Sequence, residues 1–430
     1  ATVSASEVEE GAEATFTATA NAGYKFTCWT VGTDTISTEN PYTATISAAT
    51  ELTANFEALV PSIVLTATPD VERQFLFTVE NATKLYIDWG NGELKETEDI
   101  YEAWKEGGVV DPSWVSDGAT TIIGTPVGEG IVKIYGDGIT YFDCGYSSSY
   151  ASKVTALDVT KATSLIEINI SSNEIAALDL TNNTALYKIT ADNNATLAIL
   201  ELPESEMNVI SAVNCALTSI DVSKFTTLTS LKLNNNNIGN IDLSANTALV
   251  TLELNNTGIT SIDLSNNTAL TSLYINFNNI PTLDVTALTS LKYFHCEGSQ
   301  ISDLKCTAVK SRARIVNNNL TLATMPTITT STFVYAPQNA MAIATEINEG
   351  EELDLSAQNN IVGLADEAQV TDYTWYLADG TEFTNYTEAD GKFVFDVTED
   401  TELYCSMTTA AFPSFSGANA LKTTNIVVKN

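Results

Sequence analysis

The sequence predicts a mainly β chain: a solenoid of 21-residue repeats, flanked by small β modules and followed by a C-terminal β-sandwich. Three observations predict it. Apolar anchors recur every 21 residues at Leu165, Leu186, Met207, Leu228, Leu249, Leu270 and Leu291. Five of the repeats carry a second alternating run around an aspartate. On either side of the repeats, short runs alternate apolar and polar residues with the period of two that a half-buried strand requires.

Length and charge bound the answer first. A chain of 430 residues suggests about three folding units. Its 44% hydrophobic content supports real cores. No apolar run approaches the ~18–20 residues that a membrane helix needs, so membrane insertion of the mature chain is not expected. There are 54 acidic and 19 basic residues, for a net charge of −35. Such a surface repels phosphate backbones and anionic membranes, which excludes nucleic acid as a partner class. The single histidine, His295, leaves no room for a His-rich metal site. The chain begins at Ala1 without a methionine, as expected of a mature or truncated product that has lost an export signal.

Residues 1–57 read as a separate β module. The stretches Gly11–Phe16, Gly23-Tyr-Lys-Phe26, Trp29 and Leu52–Phe56 resemble the B-repeat of internalins and related bacterial surface proteins, with Cys28 where that family has Gly. The resemblance implies a spacer on the cell surface. Ala58–Ser62, containing Pro61, reads as a linker.

Residues 63–138 alternate in short runs at Ile63–Ala67, Phe75–Val79, Lys84–Asp88 and Ile131–Tyr135. The turn Asp88-Trp-Gly-Asn-Gly92 resembles that of PKD-type β-sandwiches. Thr97 is placed to N-cap a short helix through Lys105. This segment runs straight into the first repeat, so it is expected to cap the solenoid.

The solenoid itself is assigned to 139–307. Phe142-Asp-Cys144 reads as one more strand, followed by an insertion through Ser152. Three and five residues after each anchor comes another apolar residue, for example Leu231 and Leu233, or Leu252 and Leu254. Eight after it comes Asn173, Asn194, Cys215, Asn236, Thr257, Asn278 or Ser299. This L-x-x-L-x-L-x-x-N/C pattern resembles the leucine-rich repeat family. The alternation points two side chains into the core, and the Asn amide is expected to satisfy backbone groups that the bend leaves unpaired. Leu178-Asp-Leu180, Ile220-Asp-Val222, Ile241-Asp-Leu243, Ile262-Asp-Leu264 and Leu283-Asp-Val285 predict a second, extended wall, slipping by one residue at Leu200.

Residues 320–430 show strand signals at Thr371–Leu377, Phe393–Val397, Glu402–Thr408 and Thr424–Val428. Trp375 and Cys405 resemble the buried Trp and second Cys of immunoglobulin-like sandwiches, without the partner Cys. None of the six cysteines forms a C-x-x-C pair. Their even count permits disulfides, but the repeat register favours small buried hydrophobes.

Candidate sites follow from the register. Concave-face positions of the early repeats are small and polar, as at Ser171, Thr190, Ser211, Asn234 and Asn255. Later ones carry Tyr274 and His295 in one slot, with Glu253 a strand earlier and Phe277 and Tyr293 on the same face. Those five residues are the candidate ligand surface, unless the C-terminal domain folds back over them. Asp158, Asp179, Asp221, Asp242, Asp263 and Asp284 form a convex column. It reads either as weak calcium binding or as carboxylates held by neighbouring Ser and Thr, and no metal ligand set is assigned.

No catalytic residue is assigned. His295 and Cys296 are adjacent on a strand and point to opposite faces, and no H-E-x-x-H, G-x-S-x-G or phosphate-cradling loop is present. The resemblance therefore implies a non-enzymatic, internalin-like adhesion protein at a bacterial cell surface. It needs no cofactor, and its partner is a host or microbial surface protein or glycan. The alternatives are a structural or glycan-capture component of an uptake system and, more remotely, a hydrolase with a carboxylate pair in the C-terminal sandwich.

Overall fold

Alternation of apolar and polar residues builds both units into which the chain divides, Ala1–Ser205 and Glu206–Asn430. The computed structural model describes residues 2–3, 9–21, 23–48, 51–80, 84–97, 100, 102, 105–106, 109–110, 112, 115–145 and 153–430. Among them regular structure is strand, apart from single 3-10 turns at Ser356–Gln358 and Gly417–Asn419. No helix is long and apolar enough to cross a membrane.

In the first unit, the N-terminal module pairs Glu13–Phe16 with Tyr42–Thr45 and sets Tyr24–Val31 between Asp34–Ser37 and Leu52–Ala58. Its core is aromatic. Trp29 is fully buried, with Phe26 at 5.5 Å and Phe16 at 6.1 Å between ring centroids, and its indole N–H donates to the Glu39 carbonyl at 3.1 Å. The linker is shorter than the sequence suggests. Ala58 ends a strand, and Ser62 is buried with its N–H on the Ile134 carbonyl at 2.8 Å.

Residues 63–158 form two sheets. One has strand order Leu94–Glu96, Tyr86–Asp88, Ile131–Tyr135, Ile63–Ala67, Val154–Asp158. The other joins Thr120–Gly124 and Arg73–Val79 antiparallel to Ile139–Asp143, which then pairs parallel with Glu167–Asn169, and that with Lys188–Thr190. Trp89 from the first sheet stacks on Phe75 of the second at 5.5 Å, beside Phe77 and Phe142. Asp88 accepts the N–H groups of Gly90 and Gly92, both at 2.9 Å, which closes the Asp-Trp-Gly-Asn-Gly turn. The helix expected after Thr97 is not seen where the chain is described. Thr97 instead extends the hairpin, exchanging hydrogen bonds with Leu85, and Lys105–Glu106 is strand. Residues 98, 99, 101, 103 and 104, and 146–152 of the expected insertion, lie outside the described residues.

In the second unit, seven parallel strands stack in register: Val209–Ser211, Ser230–Lys232, Thr251–Glu253, Ser272–Tyr274, Tyr293–His295, Arg312–Arg314 and Thr332–Val334. The central residues of the first six, among them Leu231, Leu252, Leu273 and Phe294, are fully buried, and Phe333 of the last is half-buried. The fixed spacing ends near residue 307, as the sequence shows, but the ladder runs two strands further on shorter repeats. Asn318 takes the asparagine slot there, and Gln338 takes the one after it, donating to the Ile315 carbonyl.

The buried asparagines act as expected in both units. Asn194 donates to the Ile170 and Ala191 carbonyls, and Asn278 to those of Leu254 and Ile275, each bond between 2.8 and 3.0 Å. Thr257 and Ser299 do the same with one hydroxyl each. A second series, Asn183, Asn246 and Asn267, buttresses the opposite wall by donating to carbonyls of the preceding turn.

That wall is extended but only partly paired. Ala177–Asp179 joins Ile199–Glu201 in the first unit, with Leu178 opposite Leu200 as the one-residue slip requires. Thr282–Asp284 joins Asp303–Lys305 in the second. At 241–243 and 262–264 no strand pairing forms. There the Asn240 side-chain oxygen takes the backbone N–H groups of Thr260 and Ser261, at 2.9 and 3.1 Å, in place of a backbone carbonyl.

Residues 341–430 form a six-stranded and a three-stranded sheet around Trp375, whose ring lies 5.4 Å from Phe393 and 4.8 Å from Phe395. Cys405 stands directly opposite Trp375 on the neighbouring strand and is a free, buried thiol. Tyr335, just past the last ladder strand, packs against Phe412 and Phe415 and accepts the Ser414 N–H at 2.8 Å.

Candidate functional site

The first six ladder strands of the second unit bury their central residue, so the residues on either side of it face outward. One outward row runs Lys232, Glu253, Tyr274, His295, Arg314 on successive strands. A second runs Ser230, Thr251, Ser272, Tyr293, Arg312. Parallel strands lie ~4.8 Å apart, so neighbours within a row are in reach of each other.

Four of the five sequence-derived residues form a chain of contacts or lie directly beside it. The His295 ring meets Tyr274 edge-on at 5.1 Å. Glu253, next to Tyr274, is held by Lys232 at 2.9 Å and accepts from the Asn234 amide at 2.8 Å. That carboxylate therefore shapes the patch rather than offering a free charge. Tyr293 lies on the same strand as His295, two residues earlier, and is 42% exposed. Burial, then Arg312 and Arg314, hold His295 below its ordinary pKa, so the ring is neutral near pH 7. Burial and the nearby Glu253 raise the Tyr274 phenol. Ser211, expected on this face, is buried beside the strand that carries Lys232.

Phe277 stands apart, where the chain leaves the strand. Its φ is +57°, in the left-handed region, and the ring is 59% exposed. The same slot in other repeats holds Asn214, Asn235, Asn256, Gly298 and Asn317, all at positive φ. Asn and Gly tolerate that conformation, whereas a bulky side chain is strained in it. The next repeat makes room. A Cβ on Gly298 would sit 2.9 Å from the Phe277 ring, so the ring lies over a glycine that can accept it. Phe277 and Tyr293 are both exposed, so the alternative in which the C-terminal domain covers the patch does not hold at these two residues.

Reading the sequence missed Arg312 and Arg314. Both sit on this face, but the repeat between Leu291 and Lys310 is 19 residues long and carries them out of the fixed frame. Arg314 pairs with Glu297 at 2.6 Å, and Glu297 also accepts from Asn317.

The aspartate column is explained by its own turns. Asp179, Asp221 and Asp284 each accept, through Oδ1, both the N–H and the hydroxyl of the Ser or Thr two residues on, at 2.6–2.9 Å or 3.0 Å. Asp242 and Asp263 accept the N–H of Ser244 and Ser265 at 2.9 Å. These bonds lower the carboxyl pKa at all five. Among the described residues no three His, Cys, Asp or Glu side chains converge to hold a metal ion. A shallow open depression on this wall is lined by Asn240, Asp263, Asp284, Asp303 and Lys305.

Cys296 is fully buried, and burial drives its thiol pKa well above the ordinary value. A nucleophilic thiolate beside His295 is therefore unsupported.

Comparison with known proteins adds three findings. Residues 1–59 match the divergent InlB B-repeat domain, as the glycines and aromatics of that module suggest. No curated protein matches the chain at a significant level. Similar solved structures include three from Listeria monocytogenes. The functional domain of InlJ, described as including a cysteine ladder, is 16% identical over 68% of this chain and 90% of its own, with a TM-score of 0.21. The internalin InlF is 23% identical over 41% and 64%, with a TM-score of 0.29. A secreted internalin-like protein is 17% identical over 62% and 75%, with a TM-score of 0.24.

Proposed function

We propose that the chain is a non-enzymatic binding protein of a bacterial cell surface, presenting the outward ladder face of its last repeats to a host protein or glycan. Tyr274, Phe277, Tyr293 and His295 are the contact residues, with Glu253 fixing the edge of the patch. The observation that carries this reading is Phe277. It holds an exposed aromatic ring in a strained backbone conformation, at a slot where neighbouring repeats place Asn or Gly. Such a residue lowers stability and fills no core, so its use lies outside the fold.

The flanking modules act as spacers and caps in this reading. The match over residues 1–59 supports a surface location, because that domain takes its name from an internalin. Residues 63–138 seal the first ladder strand, and the two-sheet C-terminal segment is an immunoglobulin-like spacer.

The test is a binding screen of the whole chain on immobilised extracellular-matrix proteins, host-cell glycans and bacterial surface extracts. It is run beside a Phe277→Asn/Tyr293→Ser variant, which installs residues that other repeats carry in those slots. A ligand retained by the native chain and lost by the folded variant supports the reading. A ligand held equally by both moves the site to another module.

A further inference from the structure

We propose that this face binds an acidic polysaccharide, with acid groups on Lys292, Lys310 and Arg312 and sugar faces on Phe277 and Tyr293. The inference rests on the ladder face being the binding surface, and it adds the chemical class of the ligand.

Charge distribution is the first argument. Five of the 19 basic residues fall between 292 and 314. Lys305 lies on the opposite wall, 4.0 Å from Asp284, and Arg314 is held by Glu297 at 2.6 Å. The other three, Lys292, Lys310 and Arg312, are exposed and form no ion pair among the described residues. Their backbones are neighbours where the strands enter the ladder. Arg312 is the strand partner of Tyr293 and donates its N–H to the Lys292 carbonyl at 2.9 Å, while Lys310 donates to Leu291 at 2.8 Å. The nearest face carboxylates, Glu253 and Glu297, are already paired with Lys232 and Arg314. The net charge of −35 does not cancel this local sign, because physiological salt screens exposed charges beyond about 8 Å.

Shape is the second argument. Tyr293 flanks the Tyr274–His295 pair on the strand-entry side, and Phe277 flanks it on the exit side. Five residues of extended chain span on the order of 15 Å, so one ligand must be several units long to touch both rings. Between the rings, beside the Tyr274–His295 pair, lie the hydrogen-bonded amides of Asn255 and Asn276. A protein hot spot wants a pocket to enclose its anchor side chain. Phe277 and Tyr293, 59% and 42% exposed, are anchors on an open face. A pyranose instead offers a C–H face to an aromatic ring and a hydroxyl rim to amides, which suits a flat face.

The experiment measures binding of the full chain to four immobilised polymers: polygalacturonate, chondroitin sulfate, dextran and poly-L-glutamate. The first two distinguish carboxylate from sulfate as the acid. The expected result is binding to one or both of them, absent on dextran and poly-L-glutamate. Lys310→Gln/Arg312→Gln weakens it at least tenfold, and so does Phe277→Asn, whose unfolding midpoint is no lower than that of the native chain. Equal binding to poly-L-glutamate overturns the proposal in favour of an acidic peptide. Equal binding to dextran overturns the role of charge, and binding unchanged in both variants overturns the site. A chain that ignores all four polymers yet holds a protein through Phe277 and Tyr293 refutes this inference and leaves the wider reading standing.

Discussion

Phe277 and its neighbour Gly298 make the sharpest statement at the scale of single residues. A non-glycine residue in the left-handed region costs roughly 1–2 kcal/mol, and Asn carries less of that cost than Phe. Phe277→Asn is therefore expected to raise the unfolding free energy by about 1 kcal/mol in urea titration while weakening ligand binding. Unchanged or lower stability with intact binding would show the ring to be a structural element. Gly298→Ala tests the same pair from the other side. Its φ of +64° and the 2.9 Å approach of the Phe277 ring make the change destabilising, and by less when Phe277 is already Asn. His295 gives a pH signature. Its folded pKa is depressed, so on acidification below about 6.5 the unfolded chain takes the proton first and stability falls. That slope is expected to vanish in His295→Gln.

At the scale of elements, the repeat is held by buried amides as much as by leucines. Asn278→Ala removes one donor from each of the Leu254 and Ile275 carbonyls, which keep only the Thr257 and Ser299 hydroxyls, and leaves the buried Thr257 N–H without its acceptor. The expected loss is about 2–3 kcal/mol in chemical denaturation, against a few tenths for an exposed neighbour such as Asn279. The aspartate turns add a pH dependence of the same direction as His295 but in a lower window. Carboxyls held below 3.8 by Ser and Thr stabilise the fold above that pH, and the contribution is lost as the pH falls through their folded pKa. These turns were legible in the sequence because Asp and Ser or Thr recur two apart. So was the ladder, because Leu, Ile and Asn keep a fixed spacing. The last two ladder strands were not, since repeats of 19 and 20 residues put Arg312–Arg314 and Thr332–Val334 outside any fixed frame. Thr97 misled for a different reason. An N-cap residue and a hairpin residue look alike until the Leu85 partner is known. The patch was legible as a set of aromatics, but the strain at Phe277 emerges only when its slot is compared with Asn214, Asn235 and Asn256.

At the scale of the whole molecule, a strongly acidic chain gathers three exposed basic groups, Lys292, Lys310 and Arg312, at one end of one ladder. Long-range repulsion keeps such a chain dispersed, while short-range recognition is left to the patch. Binding by the last repeats is therefore expected to weaken with added salt. It is also expected to be indifferent to removal of the 1–59 module, whose aromatic core closes on Trp29. The measurement that tests the central claim most directly is equilibrium binding of the intact chain to its best ligand from the screen. Native protein is compared with Phe277→Asn/Tyr293→Ser, and thermal unfolding is followed on both. The account requires at least a tenfold loss of affinity in a variant that is as stable as the native chain or more so. Undiminished affinity in that folded variant would contradict it and place the binding surface elsewhere on the molecule.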